Sequence, residues 1–492
     1  MRRSLEQLEG TAFDVAIIGG GINGAGTART LAEQGYTVLL ADKSDYGSGA
    51  TAASARMQHV GLRYLAPGGS MLQFLVRPGK VLNALRMASM SKDGWLHMPL
   101  EYPDLYKRIS LAIPIYEGAG YTGWQIDLAL AVLERLPPRA KSVNYRRYSG
   151  ARMEQVPYFP LLRDKSKLKS IAVFDDFQID WPERICMNDV LAAAEAGAVT
   201  RNYTRVSLTH HDGDIWRLHL EDVETGDCAD VAATSVVNAA GPWIDEVQNA
   251  SSVVQPSKGT LIVGQLTEEC RDWGLFGFSR RNQPLVAMPS RGMHFFGPTE
   301  SPYTGKADEV RPLESEIQYL ADEVAYMMPG SGFTRSDVKF AWSGLRPHTR
   351  HRDHPEGYRS LVVHDLGKGL LAVTGGVIGS YRESVRKIAE KIGTSLSPSG
   401  STAPQMVASV VGKNAEELMP LQRIAALEQV VHVDDYLFRR VGKAWSNGMA
   451  VDDLETTVRE LASVLEWSDE DCQNELNRYR AILRARHAFQ FD

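Results

Sequence analysis

The chain has 492 residues, 43% hydrophobic and 23% charged, with a formal net charge of -6. That composition suits two or three packed globular units able to bury a large core, and the acidic balance argues against a nucleic-acid partner. The four cysteines lie more than forty residues apart and lack zinc or disulfide-framework spacing, so reduced thiols and no metal are expected. Met1 to Phe13 lacks the apolar core of a secretory signal. The best apolar stretch, Ile126 to Leu136, is interrupted by Asp127, Glu134 and Arg135 and is well short of the roughly 20 residues that cross a bilayer. A cytoplasmic protein, soluble or peripheral at the inner face of the membrane, is the expectation.

In chain order, Asp14-Val-Ala-Ile-Ile18 reads as a buried strand running into Gly19-Gly20-Gly21. Ala25 to Gln34 suits a helix stopped by Gly35, and Thr37 to Ala41 supplies a second strand, completing a βαβ unit. Asp189 to Ala196 suits a helix. Val206 to His210 and Trp216 to Leu220 read as strands joined by a turn, and Ser235 to Asn238 as a short strand ending at Ala239-Ala-Gly-Pro242. Strand-like runs then dominate (Gly259 to Gly264, Leu285 to Met288, Met293 to Gly297), followed by a helix from Leu313 to Met328. This second region reads as an antiparallel sheet with helical cover. Ser395 to Pro404 is rich in Ser, Pro and Gly and reads as a linker. Beyond it, Leu454 to Leu465 and Asp469 to Ala485 read as helices, with Ser468 capping the second.

Gly19-x-Gly21-x-x-Gly24 follows a strand, opens a helix, and precedes by eighteen residues Asp42, at the end of the next strand. The first glycine permits the tight turn, the second lets backbone N–H groups approach a pyrophosphate, and the third lets helix pack on strand. The helix dipole favours the phosphates, and Asp42 can accept hydrogen bonds from ribose hydroxyls. These features fit NAD or FAD. The polar, small-residue stretch from Ser44 to Arg63 is unlike the continuation of a nicotinamide domain and points to FAD.

Gly19-Gly-Gly-Ile-Asn-Gly-Ala-Gly26, and His59 followed by Gly61-Leu-Arg-Tyr-Leu65, resemble the FAD-dependent glycerol-3-phosphate dehydrogenases of the D-amino-acid oxidase-like flavoprotein group. Val237-Asn-Ala-Ala-Gly-Pro-Trp243 resembles that family's V-N-A-T-G-P-W turn, and Trp342-Ser-Gly-Leu-Arg-Pro347 its S-G-V-R-P segment. Gly375-Gly-Val-Ile-Gly-Ser-Tyr-Arg382 stands where the family has G-G-K-L-T-T-Y-R, and Val433 to Arg439 resembles part of its C-terminal domain. The likeness runs in order along nearly the whole chain. It implies an α/β fold: a Rossmann-like FAD-binding domain, an antiparallel β-sheet substrate (cap) domain, and a small all-helical C-terminal domain. The implied boundaries are 12–394 for the oxidoreductase region and 405–492 for the helical domain. Within the former, FAD-binding parts span about 12–70, 165–250 and 340–394, and cap parts about 71–164 and 255–339.

Carried over by position, the resemblance implies FAD contacts at Gly19, Gly21, Asn23, Gly24, Asp42 and Lys43. Thr51, Ser54, Arg56, Met57 and His59 would lie along the pyrophosphate and flavin ring, Val206 by the adenine, Gly241 by the pyrophosphate, and Gly376, Val377, Ile378 and Gly379 by the isoalloxazine. Asp42 stands where the family more usually has Glu. Arg63, Tyr64 and Arg346 match substrate-site positions, and arginine suits a phosphate or carboxylate because its planar fork binds both oxygens.

Two family side chains are replaced. Leu261 stands in place of the histidine of K-G-S-H, and Val377 in place of the lysine of G-G-K-L. Neither can titrate or pair with phosphate, so a less densely charged substrate than glycerol 3-phosphate is expected at Arg63, Tyr64, Arg346, Leu261 and Val377. The catalytic set is then Arg346 and Tyr64 with a base: His348 first, with His59, His294 and Tyr64 as alternatives. Arg346-Pro-His-Thr-Arg-His-Arg-Asp353 reads equally as an anion-attracting rim or a solvated loop.

The expected activity is oxidation of a small hydroxylated anionic metabolite, a polyol phosphate or hydroxy acid, by hydride transfer to flavin N5. The alternatives are an amine or amino-acid oxidase of the same fold, or a flavoprotein without catalysis. Quinone or oxygen would accept the electrons. Leu105 to Ile113 and Trp124 to Leu136, flanked by Arg139, Lys141, Arg146 and Arg147, read equally as a peripheral membrane surface or as buried cap-domain helices.

Overall fold

The first sheet grows from the strand Ala12–Ile18, buried at every position after the first. The computed structural model describes residues 3–65, 78–118, 122–137, 143–248, 252–400 and 420–491. Ala12–Ile18 pairs in parallel with Val38–Ala41 on one side and Cys228–Asn238 on the other. Leu370–Thr374 and Val199–Arg201 extend this parallel core, and Val362–Asp365 closes one edge antiparallel. The helices Ile22–Glu33, Pro182–Glu195 and Tyr381–Ser395 cover one face, packing Ala25, Leu31, Ile185, Val190, Val385 and Ile388 against Val15, Ile17, Val38 and Leu40. A hairpin, Thr204–Asp212 and Ile215–Asp222, covers the other through Val206, Leu218 and Leu220. Burial on both faces is why these strands read as continuous apolar runs rather than alternating ones.

The helix expected from Asp189 begins at Pro182 instead, with the proline in its first turn. Glu183 and Arg184 are buried there, which hides the amphipathic pattern. Glu183 pairs with Arg56 at 2.7 Å, and Arg184 with Glu428 at 2.7 Å.

The second sheet runs in the order His354–Tyr358, Phe340–His351, Val254–Gly264, Met293–Gly297, Pro284–Ser290, Trp273–Phe278, Tyr106–Tyr116, Leu168–Ile179, Met57–Gln58. Its pairs are antiparallel except Trp273–Phe278 with Tyr106–Tyr116. The helix Glu314–Met327 covers one face, with Ile317, Leu320 and Val324 against Ile262, Leu285, Phe296 and Ala341. The segment Leu105 to Ile113 lies mostly in the inner strand Tyr106–Tyr116, with Ile109, Leu111, Ala112 and Ile113 buried, which favours the buried reading and corrects the expected helix to a strand. The Gly123–Arg135 helix buries Ile126, Leu130 and Leu133 and leaves Trp124 and Leu128 exposed, and of the basic flank Arg139 and Lys141 lie outside the described residues. No described helix is long and apolar enough to cross a membrane.

The tail helices Leu454–Leu465 and Asp469–His487 match the expected spans closely, and the Ser468 hydroxyl accepts from the Asp471 N–H at 3.1 Å. They share one core with the second sheet, where Leu437, Phe438, Trp445, Val458 and Tyr479 join Val263, Phe295, Phe340 and Trp342. The described part of the Ser395 to Pro404 segment is anchored to the first sheet. Ser399 donates to Asp14 from both its backbone and its hydroxyl, and the Gly400 N–H donates to the Gly35 carbonyl. The rest of that segment, and 405–419, lie outside the described residues.

The strongest tie between tail and first sheet is ionic. Asp45 accepts from both terminal nitrogens of Arg440 at 2.7 Å, from Asn202 at 3.0 Å, and from Arg439. Arg439 also pairs with Asp434 and Asp435, and Tyr203 donates to Asp435 at 2.6 Å. Burial alone would raise the Asp45 carboxyl, but Arg440 and Arg439 hold it well below the usual carboxylate range. Replacing Asp45 by Asn leaves two buried guanidinium groups facing a neutral amide. It should lower unfolding free energy by about 3–5 kcal/mol, read from denaturant midpoints. Removing the exposed Arg205–Glu221 pair should change it by less than about 1 kcal/mol.

His432 opposes burial through its bond to Glu475 at 2.7 Å and the nearby Asp435, so its imidazole is raised to about 9. A raised basic group stabilises the fold fully below its unfolded value near 6.5. That contribution is lost as pH rises through about 9. Stability should therefore fall between these limits, and His432→Gln should flatten the fall in pH-resolved melts.

Candidate active site

A cavity of about 1360 Å³ lies between the two sheets, and the glycine turn forms one end of it. Gly19 sits at φ +104°, where a Cβ would stand 2.6 Å from the Ala239 carbonyl oxygen. At Gly24 a Cβ would meet the Gly19 oxygen at 1.9 Å, so only glycine lets the Ile22–Glu33 helix start this close to the strand. Gly19, Gly21 and Asn23 line the cavity, while Gly24 packs beneath the turn. The Ile22 N–H donates to the Thr51 hydroxyl at 3.0 Å, tying the helix start to the next lining loop.

Asp42 lines the same end. Its carboxylate accepts from the N–H groups of Gly20 at 2.6 Å and Ser44 at 2.8 Å, and burial pushes it up to about 6 against those bonds. Each oxygen keeps a second lone pair for a ribose hydroxyl. Lys43 pairs with Asp308 at 3.2 Å and lies 4.8 Å from the Trp243 ring centroid. Val206 and Gly241 line the wall nearby, and Thr51, Ser54, Arg56, Met57 and His59 continue it. Arg56 is committed to the protein, pairing with buried Glu183 and lying 4.0 Å from the Trp445 ring centroid. Gly376, Val377 and Ile378 line the cavity. Gly379 does not, and its carbonyl accepts from Gln58 at 3.3 Å.

At the other end, Gly259 and Gly344 face each other across paired strands, with Arg346 opposite Ser257. The Arg346 guanidinium lies over Gly259, where a Cβ would be 2.4 Å from its nearest nitrogen. Leu261, 2% exposed, continues the wall from there, whereas Val377 is 46% exposed. Arg359 pairs with Glu300, and both line the cavity with Arg346 and His348. Partial burial acts to raise Glu300, but Arg359 and Arg346 hold it below its ordinary value.

Two histidines line the cavity. His59 has Nδ1 3.3 Å from Asp176, a buried carboxylate that also accepts from the N–H groups of Val60 and Phe177 at 3.1 Å. Burial raises the Asp176 carboxyl, with His59 opposing. His348 has Nδ1 3.3 Å from the Glu356 carbonyl, and burial, then Arg359 and Arg346, keeps it below the usual imidazole value. His294 is not among the lining residues: it faces the Cys270 carbonyl at 3.1 Å, driven down to about 4 by burial. Tyr64 packs half-buried against the core rather than on the cavity wall, and the Arg63 side chain lies outside the described residues. Asp176, Glu300 and Arg359 escaped the sequence reading because their partners lie 59 to 117 residues away. All four cysteines are free, and no described group of side chains could hold a metal.

The glycine cradle, the helix N-terminus and Asp42 fit a dinucleotide, and the apolar wall beyond them fits a flat aromatic ring. Residues 14–380 match the family described as FAD dependent oxidoreductase. A glycerol-3-phosphate dehydrogenase of Synechocystis sp. is 29% identical over 442 residues, covering 85% of this chain and 76% of that protein. The structure of the Bacillus halodurans glycerol-3-phosphate dehydrogenase complexed with FAD superposes with a TM-score of 0.72 at 20% identity, over 98% of this chain and 96% of the other. Glycine oxidase from Geobacillus kaustophilus shares the fold at a TM-score of 0.59 and 21% identity, over 80% of this chain and 98% of the other. Because the matched stretch holds nearly every residue that shapes the cavity, the chain belongs to the DAO family of FAD-dependent oxidoreductases, and FAD is its cofactor.

Proposed function

We propose that this enzyme oxidises a small hydroxylated anion, a hydroxy acid or polyol phosphate, at the end of the cavity marked by Arg346. The observation that carries this reading is the Arg346 guanidinium laid over Gly259, inside a cavity that also holds the cofactor cradle. Arg346 and Arg359 bind and orient the anionic end. His59 takes the hydroxyl proton at Nε2. Its Nδ1–H donates to Asp176, which fixes the tautomer and steadies the imidazolium that forms. His348, expected as the base, has a backbone carbonyl, that of Glu356 at 3.3 Å, behind its Nδ1, whereas His59 has the Asp176 carboxylate there, so His59 is the better placed of the two to carry the proton. When bound, FAD supplies the acceptor for the hydride leaving the substrate carbon. Quinone or oxygen then takes the electrons.

An amino-acid oxidase is the second reading, supported by Glu300, which could pair with an ammonium group beside Arg346. Anaerobic mixing of the purified enzyme with polyol phosphates, 2-hydroxy acids and amino acids tests both. If only amino acids bleach the flavin, the first reading fails.

Arg346→Lys keeps the charge but loses the bidentate fork, so kcat/KM should drop about a hundredfold with flavin content unchanged. His59→Asn should lower kcat by about 10²–10⁴-fold with flavin content unchanged. His348→Asn should cost kcat less than about tenfold, so a loss as large as that of His59→Asn would transfer the base to His348.

A further inference from the structure

Three side chains from the two sheets meet across the rim of the cavity at its glycine end. Lys43 directly follows Asp42, and Trp243 stands two residues after Gly241, so both lie just past the C-terminal ends of the first-sheet strands Val38–Ala41 and Cys228–Asn238. Asp308 comes from the other side, on the turn Ala307–Glu309 between Ser301–Pro302 and the helix Glu314–Met327. The Lys43 ammonium lies 3.2 Å from both Asp308 carboxylate oxygens, and the Trp243 indole N–H donates to one of them at 3.0 Å. Lys43 Nζ is also 4.8 Å from the Trp243 ring centroid, which closes the triangle. All three residues line the cavity, yet the Asp308 side chain is 62% exposed and that of Lys43 30%, which puts the triangle at the mouth.

The segment that carries Asp308 is anchored at both ends. The Thr299 N–H donates to the Thr260 carbonyl at 3.0 Å and the Tyr303 N–H to the Pro256 carbonyl at 3.1 Å, tying its start to the strand Val254–Gly264. The helix that follows packs Ile317 and Leu320 into the core of the second sheet. Between these anchors the Asp308 turn reaches the first sheet. On that side Gly49 of the lining loop leaves room for the indole, because a Cβ there would stand 3.3 Å from the Trp243 ring. The contacts are well aligned but individually weak: solvent and salt screen an exposed ion pair, and a cation–π contact at a surface adds little. The sheets behind are held by burial over whole faces, so opening the triangle costs far less than separating them.

We propose that Lys43, Trp243 and Asp308 form a clasp that gates the entry and exit of FAD. When the Asp308 turn swings away from the first sheet the way in is open, and when it returns Lys43 and Trp243 hold it shut. Lys43 thereby has a different part from the direct cofactor contact expected from the sequence, since its charge is committed to Asp308. All three contacts run from protein to protein, so the clasp closes whether or not a cofactor lies beneath it. A gate of this kind slows binding and release alike and leaves affinity unchanged. A side chain that touches the cofactor changes release and affinity together. The clasp acts in the same way whichever substrate is oxidised.

The test is the rate of FAD release from the diluted holoenzyme and of FAD rebinding to the full-length apoenzyme, both read by flavin fluorescence. Asp308→Ala should speed the two rates about tenfold each and change Kd by less than about twofold. Asp308→Asn keeps an acceptor for the indole and loses the charge, so it should speed both by about threefold. Lys43→Met breaks the same ion pair, and the double variant with Asp308→Ala should be no faster than Asp308→Ala alone. Because the Asp308 side chain is largely exposed, the apoenzyme Tm should not move, and Asp308→Asn carries the test should Asp308→Ala fold poorly. Faster release with rebinding unchanged or slowed assigns these side chains to direct cofactor contact and overturns the gate. Rates within about twofold of the unmodified protein in every variant overturn it too.

Discussion

The buried carboxylate of Asp45 is the point on which the two halves of the chain meet. It lies three residues beyond Asp42, which lines the cavity, and its partners Arg439 and Arg440 come from the far end of the sequence. Two cations and one anion so deeply buried are tolerable only because further partners complete the set. Asp434, Asp435 and Glu428 balance the arginines, and Asn202 and Tyr203 supply the remaining hydrogen bonds. Such a network specifies geometry more than it adds stability. It holds the loop from Asp42 to Tyr46 at one height against the first sheet, where Tyr46 also reaches Gln429 of the tail.

From that fixed loop the cavity follows. The first sheet ends in turns whose backbone approaches a ligand closely, and the second sheet presents a wall of side chains opposite them. Gly344 leaves space for Ala53 of the lining loop, and Gly259 leaves space for the Arg346 guanidinium. Arg56 then links wall and tail, clasped between Glu183 and the Trp445 ring. The helical tail thus supports the Asp42 to Tyr46 loop and the second sheet together.

The two ends of the cavity differ in how they keep family chemistry. The cofactor end relies on backbone N–H groups and close approach, which only glycine permits, so its residues are narrowly constrained. The opposite end relies on side chains such as Leu261 and Val377, which can be exchanged without changing the backbone. That separation lets one fold oxidise different metabolites with one cofactor.

Much of this was legible in the sequence. The glycine spacing, the position of Asp42 and the capping by Ser468 are local: each depends on residues within one or two turns of chain, so pattern and chemistry coincide. The same holds for the fold class, since strand and helix periodicities are local too. The start of the Pro182–Glu195 helix was obscured because Glu183 and Arg184 are buried with partners that no local pattern reveals. Leu105 to Ile113 looks alike as an inner strand and as a membrane-facing one until its neighbours on both sides are known. Asp176 behind His59, Glu300 beside Arg359 and the apolar wall from Leu261 to Phe174 arise only when distant strands pair. Local chain chemistry determined which cofactor the protein could cradle. Tertiary pairing decided which charges and apolar surfaces would line the cavity opposite the glycine turn, because their energies depend on neighbours that the linear order does not place together.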